Sequence, residues 1–320
     1  MKSSEFIKWF VRIGPAVLLL AFIFFLAKSY AGNEWLAYIK TLSPSLIILL
    51  GLLSLSNYVL RTLRWHLLFK SVGVDLSLKT TFYSYFSGFG MAVTPGKIGE
   101  VIRMWVLRRS EHIPLRKSIY PLFGDRVTDL VAISIFSSLG LGMFENMLLP
   151  AIVAIVITCA ATLIWLFPNY FISVLLGAIR FFNIRLLKII RLFRVIKYET
   201  KNIKSKKFSP IILITSLLAW LMECIAFYVL LIHFGVHIPF AIAVSIFAIS
   251  ILVGALSMLP GGIGGAEITM VTLLVMLNVD TPIAIAVTAI IRVFTLWYAV
   301  VIGLIVLPFA LRHKAQVNHN

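Results

Sequence analysis

Eight charged side chains interrupt the apolar segments of this 320-residue chain. A charge at the centre of a bilayer costs about 2.5–3.5 kcal/mol on insertion scales, and it persists when it is paired or lines a pathway. These residues therefore indicate a polar centre inside an apolar protein. They are Glu100, Arg103, Asp125, Arg126, Asp129, Glu223, Glu267 and Arg292.

Two short motifs in the chain repeat the same residue types in the same order. The first is PGKIGE (residues 95–100), and the second is PGGIGGAE (residues 260–267). The glutamate that ends each motif is followed by an arginine, Arg126 after 26 residues in the first case and Arg292 after 25 in the second. This agreement predicts an internal duplication.

Proline and glycine at these motifs allow the chain to turn within the membrane, so we predict two re-entrant helical hairpins. Each turn frees backbone amides at the start of the returning half-helix, and such amides attract anions. Irregular backbone survives at membrane depth only when it is buried in protein or lines a wet cavity. The residues predicted to bind a phosphate-bearing headgroup are Lys97, Arg126, Arg292, Gly96, Gly99, Gly261 and Gly264.

The acids beside the two breaks admit several roles. Glu100 and Glu267 can offset the positive end of a half-helix or take up a proton. They can also pair with the two later arginines, Arg126 and Arg292. These arginines in turn either contact the headgroup, because an arginine fork suits phosphate, or serve only as partners of the acids. The sequence leaves these alternatives open.

Three further acids lie within the predicted spans. Asp125 and Asp129 are four residues apart and share a helix face. Arg126 can pair with the second of them, so we expect a salt-bridge network. Glu223 has no basic neighbour in the sequence and must find a partner in the fold or be protonated, which makes it a candidate for proton coupling.

Composition identifies the class of protein. The chain is 61% hydrophobic and 13% charged, with a mean hydropathy of +1.02. Soluble domains are about a quarter charged, so the composition indicates an integral membrane protein. The net charge of +17 fits cytoplasmic loops that face anionic lipid headgroups, and no nucleic acid partner is expected. The sequence contains neither metal-ligand spacing nor a nucleotide-binding fingerprint, so no cofactor is expected.

We predict an all-α architecture of about six spanning helices and two re-entrant hairpins in an inverted-topology repeat. Repeat 1 covers about 42–167 and repeat 2 about 210–310 of a single transmembrane domain, 1–320. The basic segment 180–207 is predicted to be an amphipathic helix on anionic inner-leaflet headgroups. The spread of Lys and Arg puts both termini in the cytoplasm, with the cell (inner) membrane as the expected location. The spans are predicted at 11–27, 42–60, 119–140, 147–167, 210–232 and 283–308, and the broken regions at 80–107 and 239–278.

Four stretches carry a resemblance to a known family: TPGKIGEVIRMWVLRR, GDRVTDL, LPGGIGGAE and IIRVFTLW. With them the chain resembles, over about residues 10–310, the flippase-like membrane family typified by the transmembrane region of lysylphosphatidylglycerol synthases. The resemblance implies the movement or handling of lipids with charged or glycosylated headgroups. The chain ends at Asn320 with no soluble catalytic domain after the last span, so we expect no aminoacyl transfer.

We therefore expect a flippase or scramblase of an anionic, phosphate-bearing or glycosylated lipid, with membrane lipids as its partners. The lipid headgroup would be held between the two hairpins, and the movement of the lipid would be downhill or ion-coupled. No catalytic motif occurs in the sequence, so an enzyme is not expected. One alternative is a membrane enzyme that acts on a lipid-linked substrate, a phosphatase or glycosyltransferase, with Asp125 and Asp129 as its carboxylates. Another is a transporter of a small polar solute.

Overall fold

A computed structural model describes residues 37–38, 40–94, 98–140, 208–257 and 259–313, together with short pieces of 156–198. In this part of the chain every regular element is helical, and no strand occurs. The helices are α1 (Pro44–Ser71), α2 (Leu78–Phe89), α3 (Ile98–Ser110), α4 (Leu115–Leu139), α5 (Phe208–His233), α6 (Phe240–Leu256), α7 (Gly265–Met276), α8 (Thr281–Arg292) and α9 (Tyr298–Arg312).

The helices follow the same order in both halves of the described chain. The first half runs long, short, short, long from α1 to α4, and the second half repeats this order from α5 to α9. The last long helix of the second half consists of α8 and α9, which are joined by a π-helical turn at Val293–Trp297. A 3-10 turn at Pro260–Gly262 separates α6 from α7. The predicted interruptions of the apolar segments therefore lie between the two short helices of each half.

Local sequence explains where the first helices begin. The Ser43 hydroxyl accepts the N–H of Leu46 at 3.3 Å, and Pro44 occupies the first turn, where its missing N–H costs nothing. The Ser77 hydroxyl accepts the N–H of Thr80 at 3.1 Å at the start of α2. Side-chain caps thus satisfy backbone donors at both helix starts.

Three helical stretches are long and apolar enough to cross a membrane: Pro44–Ser71, Phe208–His233 and Thr281–Arg312. Helix α4, predicted as a span at 119–140, has 25 residues but carries charges along its length. The predicted spans at 11–27 and 147–167 lie almost wholly outside the described residues, and so does the basic segment 180–207. The long apolar helices identify an integral membrane protein.

The two halves pack against each other crosswise. Helix α1 packs along α5, and these are the first helices of the two halves. The short helix α6 packs on α4, and the short helix α2 packs on α9. Where α2 meets α9, a Cβ on Gly303 would overlap the backbone of Gly90, so these two helices cross at glycines. Where α6 meets α4, the Ser245 hydroxyl accepts the N–H of Gly140 at 2.6 Å. Each half therefore depends on the last helix of the other half for its packing.

Candidate functional site

A cavity of about 550 Å³ lies where the two interruptions meet. Residues of both halves line it, and three of them are arginines. A cavity of this size falls within the range of small-molecule sites. Its lining residues are Gly88, Met91, Ala92, Thr94, Gly99, Arg103, Arg126, Ile251, Gly254, Ala255, Leu259, Pro260, Gly261, Gly262, Ala266 and Arg292.

Glycines bring the short helices of the first half together beside the cavity. A Cβ on Gly99 would overlap the carbonyl oxygen of Gly88, so α2 and α3 approach to backbone contact there. A Cβ on Gly88 would in turn overlap the Arg103 side chain. The absence of side chains at these two positions is therefore what allows Arg103 to lie between the helices.

Glycines also shape the interruption in the second half. Gly261, Gly262 and Gly264 have φ values of 63°, 67° and 91°, which favour glycine. Gly262 lies against Gly254 of α6, where an added Cβ would come within 3.1 Å of the Gly254 carbonyl carbon. The chain thus folds back tightly between α6 and α7.

The two interruptions touch each other. A Cβ on Gly261 would lie 3.0 Å from Cγ1 of Val93, which belongs to the turn of the first half. Val93 is fully buried and packs with Leu296, Trp297 and Val300 around the π-helical turn and α9. The sequence predicted that the two turns would meet, and the described residues place them in contact.

Arg292 and Glu267 form a buried ion pair in the second half. The Nε of Arg292 donates to Oε1 of Glu267 at 2.6 Å, and its Nη2 donates to the carbonyl of Gly261 at 2.7 Å. The second carboxylate oxygen accepts the N–H of Gly264 at 2.7 Å. Of the roles considered for Glu267, the structure therefore supports pairing and helix capping together. The pair fixes the turn to the end of α8.

A larger ion-pair network lies in the first half. Arg64 is fully buried and donates to Asp125 at 2.5 and 3.0 Å and to Asp129 at 2.7 Å. Arg61 donates to the other oxygen of Asp129 at 2.6 Å. The indole N–H of Trp220 on α5 donates to Asp129 at 2.8 Å. The network therefore joins α1, α4 and α5, and it satisfies both aspartates.

Two cavity-lining arginines also reach this network. Arg126 donates to Asp125 at 2.5 Å and lies 3.7 Å from Asp129. Arg103 donates to Asp125 at 3.3 Å, and its guanidinium carbon lies 3.9 Å from the ring centroid of Tyr85. The salt-bridge network predicted from the spacing of Asp125, Arg126 and Asp129 is thus present, with more members than the sequence indicated.

Glu223 is buried in α5 with 4% of its surface exposed. Among the described residues it has no ion pair within 4.0 Å and its carboxylate accepts no hydrogen bond. Within the described part of the chain, Arg61 and Arg292 are the positive charges that act on it electrostatically. Its predicted role in proton coupling remains a prediction.

The structure brings together four of the seven residues predicted to bind a headgroup: Gly99, Gly261, Arg126 and Arg292 all line the cavity. Gly264 lies nearby but is used to hold Glu267. Gly96, Lys97 and the side chain of Glu100 lie outside the described residues.

Sequence reasoning missed Arg61 and Arg64. The apolar run was predicted to end at residue 60, which placed both arginines beyond the membrane segment, whereas α1 continues to Ser71. The sequence did contain a signal for a longer helix, because neither glycine nor proline occurs between residue 60 and Gly73. No pattern in the sequence indicates the partners of these arginines, which lie more than 60 residues away.

Comparison with known proteins identifies a family. The model of the lysylphosphatidylglycerol synthase TM region matches residues 11–303, which is most of the chain. Relatives of similar length are described as UPF0104 membrane proteins. One from Methanocaldococcus jannaschii is 23% identical over 312 residues, 90% of this chain and 92% of the relative.

Two further relatives come from other organisms. One from Pyrococcus horikoshii is 24% identical over 287 residues, 80% of this chain and 84% of the relative. One from Methanothermobacter thermautotrophicus is 20% identical over 294 residues, 85% of this chain and 87% of the relative. These matches run over nearly the whole length of both chains.

Proposed function

This chain belongs to the family of the lysylphosphatidylglycerol synthase TM region, and from that membership and its cavity we propose that it moves lipids between membrane leaflets. The cargo is an anionic, phosphate-bearing or glycosylated lipid. Its headgroup occupies the cavity between the two interruptions, and its chains stay in the surrounding bilayer. The two interrupted segments act as re-entrant hairpins of an inverted repeat.

The observation that carries this proposal is the cavity itself. Turns from both halves line it together with Arg103, Arg126 and Arg292, in a chain that is 61% hydrophobic. Three guanidinium groups around one cavity in an apolar protein favour a polar, negatively charged occupant. The crosswise packing of the halves supports the inverted repeat, because the first short helix of each half, α2 or α6, meets the last helix of the opposite half.

The structure also bears on the alternative of an enzyme. Asp125 and Asp129 were the carboxylates available for acid–base chemistry. Both accept hydrogen bonds from arginines at 2.5–2.7 Å, so each carboxylate is already engaged by basic partners. This arrangement suits a structural network better than a general acid, and it favours translocation over hydrolysis of a lipid-linked substrate.

Leaflet exchange in proteoliposomes tests the proposal. The protein is reconstituted with fluorescent phosphatidylglycerol or a labelled polyprenyl phosphate, and exchange is followed with a membrane-impermeant quencher. We expect exchange by the wild type and at least a tenfold slower rate for Arg126→Ala and Arg292→Ala. Arg108→Ala is the control, because this arginine is exposed and does not line the cavity. Equal exchange by all four proteins at equal folding would exclude the proposal, and lipid turnover without exchange would favour the enzyme.

A further inference from the structure

We infer that Arg103 is the residue of the cavity that binds a phosphate oxyanion. Sequence analysis did not assign this arginine to the headgroup. The inference deepens the proposed function and rests on it, since it takes the cavity to be the place where a headgroup is held. The ligand is a phosphate oxyanion, which is either part of a lipid headgroup or free inorganic phosphate.

Arg103 is the cavity arginine whose hydrogen-bonding capacity is least used. A guanidinium has five N–H donors. Among the described residues, the Arg103 side chain makes one hydrogen bond, to Asp125 at 3.3 Å, which is long for a charge-assisted bond. Its Nε is buried and has no acceptor among the described residues. The side chain therefore presents donors that the described residues leave unsatisfied.

The other two arginines of the cavity are engaged more fully. Arg292 donates to Glu267 at 2.6 Å and to the carbonyl of Gly261 at 2.7 Å. Arg126 donates to Asp125 at 2.5 Å. An anion that binds Arg292 or Arg126 would share the guanidinium with a carboxylate held in a short bond, whereas at Arg103 the competing carboxylate contact is long.

Burial makes the unsatisfied donors of Arg103 significant. The residue is 5% exposed, and a buried donor without an acceptor is costly. Aromatic rings compensate in part, because the guanidinium carbon lies 3.9 Å from the ring centroid of Tyr85, 5.9 Å from Trp65 and 5.7 Å from Phe89. These rings hold the guanidinium at the cavity wall before any ligand arrives, so binding requires little rearrangement.

The charge balance of the network also favours an anion. Among the described side chains, ion pairs connect Arg61, Arg64 and Arg103 to only two aspartates, Asp125 and Asp129. Asp125 alone is shared by Arg64, Arg103 and Arg126, and Arg103 has the longest of the three contacts. A phosphate beside Arg103 would supply the negative charge that its long contact with Asp125 provides only in part.

Binding to the purified protein in detergent tests the inference without requiring transport. Thermal stability is measured while inorganic phosphate or dihexanoyl phosphatidic acid is titrated at constant ionic strength. We expect saturable stabilisation of the wild type, and a half-saturating concentration roughly 10- to 100-fold higher for Arg103→Gln. Arg108→Gln on the exposed side of the same helix should titrate like the wild type. Wild-type affinity in Arg103→Gln, or no saturable binding to the wild type, would overturn the inference.

A second variant keeps the test decisive if Arg103→Gln does not fold. In Gly88→Ala the added methyl overlaps Arg103, so the guanidinium must move while its charge remains. We expect the same weakening of phosphate binding, and wild-type binding by Gly88→Ala would count against the inference.

Tighter binding of phosphatidic acid than of phosphate identifies a lipid headgroup as the source, and the reverse identifies free phosphate. Arg103-dependent binding by a protein that gives no leaflet exchange would uphold this site and remove the proposed translocation.

Discussion

The Nε of Arg292 lies 2.6 Å from Oε1 of Glu267, at the junction of the second turn with the end of α8. The same carboxylate accepts the N–H of Gly264, and the same guanidinium donates to the carbonyl of Gly261. One ion pair therefore fixes the backbone of the turn on both sides. A π-helical turn begins at the residue after Arg292, and π-turns occur frequently at functional sites.

Two glutamates of equal burial provide a matched test of this pair. Glu267 and Glu223 are each 4% exposed, but only Glu267 has an ion pair within 4.0 Å among the described residues. We expect Glu267→Gln to lower the free energy of unfolding by about 3–5 kcal/mol, because Arg292 is left as a buried, uncompensated charge. Glu223→Gln should change it by less than about 1 kcal/mol or raise it. Thermal unfolding in detergent measures both, and equal losses would contradict the assignment.

The network of the first half should behave as one cooperative unit. Arg64→Gln and Asp125→Asn each break a fully buried contact of 2.5 Å, so each should destabilise the protein by about 3 kcal/mol or more. The double variant removes both charges of this pair, so neither Arg64 nor Asp125 is left as a buried charge without its partner. We expect its loss to be smaller than the sum of the single losses by about 0.5–3 kcal/mol. Equilibrium unfolding in mixed micelles gives the three values, and strict additivity would show that the pair is not coupled.

The close approach of α2 and α3 predicts different effects for two glycine substitutions. Gly99→Ala puts a methyl group into the carbonyl oxygen of Gly88, so it should lower the melting temperature and slow leaflet exchange. Gly51→Ala in α1 meets only an aromatic carbon of Phe294 at 4.0 Å. It should be neutral or stabilise by up to about 1 kcal/mol, because alanine favours the helix over glycine. Wild-type stability and exchange in Gly99→Ala would show that the helices do not cross as described.

The π-helical turn should depend on one tyrosine. The hydroxyl of Tyr58 lies 2.8 Å from the carbonyl oxygen of Phe294 and 3.2 Å from that of Thr295, and it donates to these oxygens within the turn. Tyr58→Phe should cost about 1–2 kcal/mol, because a buried carbonyl loses its donor. The control is Tyr228→Phe, whose hydroxyl has no hydrogen bond within the described residues and should have almost no effect. Differential thermal unfolding distinguishes the two, and an equally small effect for both would contradict the role of Tyr58.

Residue types and spacing were enough to predict several features. Proline and glycine interrupt helices locally, so the positions of the interruptions between α2 and α3 and between α6 and α7 could be predicted from sequence. The pairing of Glu267 with Arg292 was one of the predicted alternatives because the acid and the arginine repeat with the two motifs. The spacing of Asp125 and Asp129 on one helix face likewise predicted their shared network.

Partners that come from distant helices could not be predicted in this way. Arg64 meets Asp125 across 61 residues, and Asp129 meets Trp220 across 91. The position of Arg103 depends on how closely α2 and α3 cross at Gly88, which no periodicity specifies. The sequence by itself determined an apolar, helical chain with two paired interruptions and buried charges, because these follow from local backbone and solvation preferences. Only the tertiary structure decided which charge meets which and which guanidinium is left with donors that the described residues do not use, because that depends on the crosswise packing of the two halves.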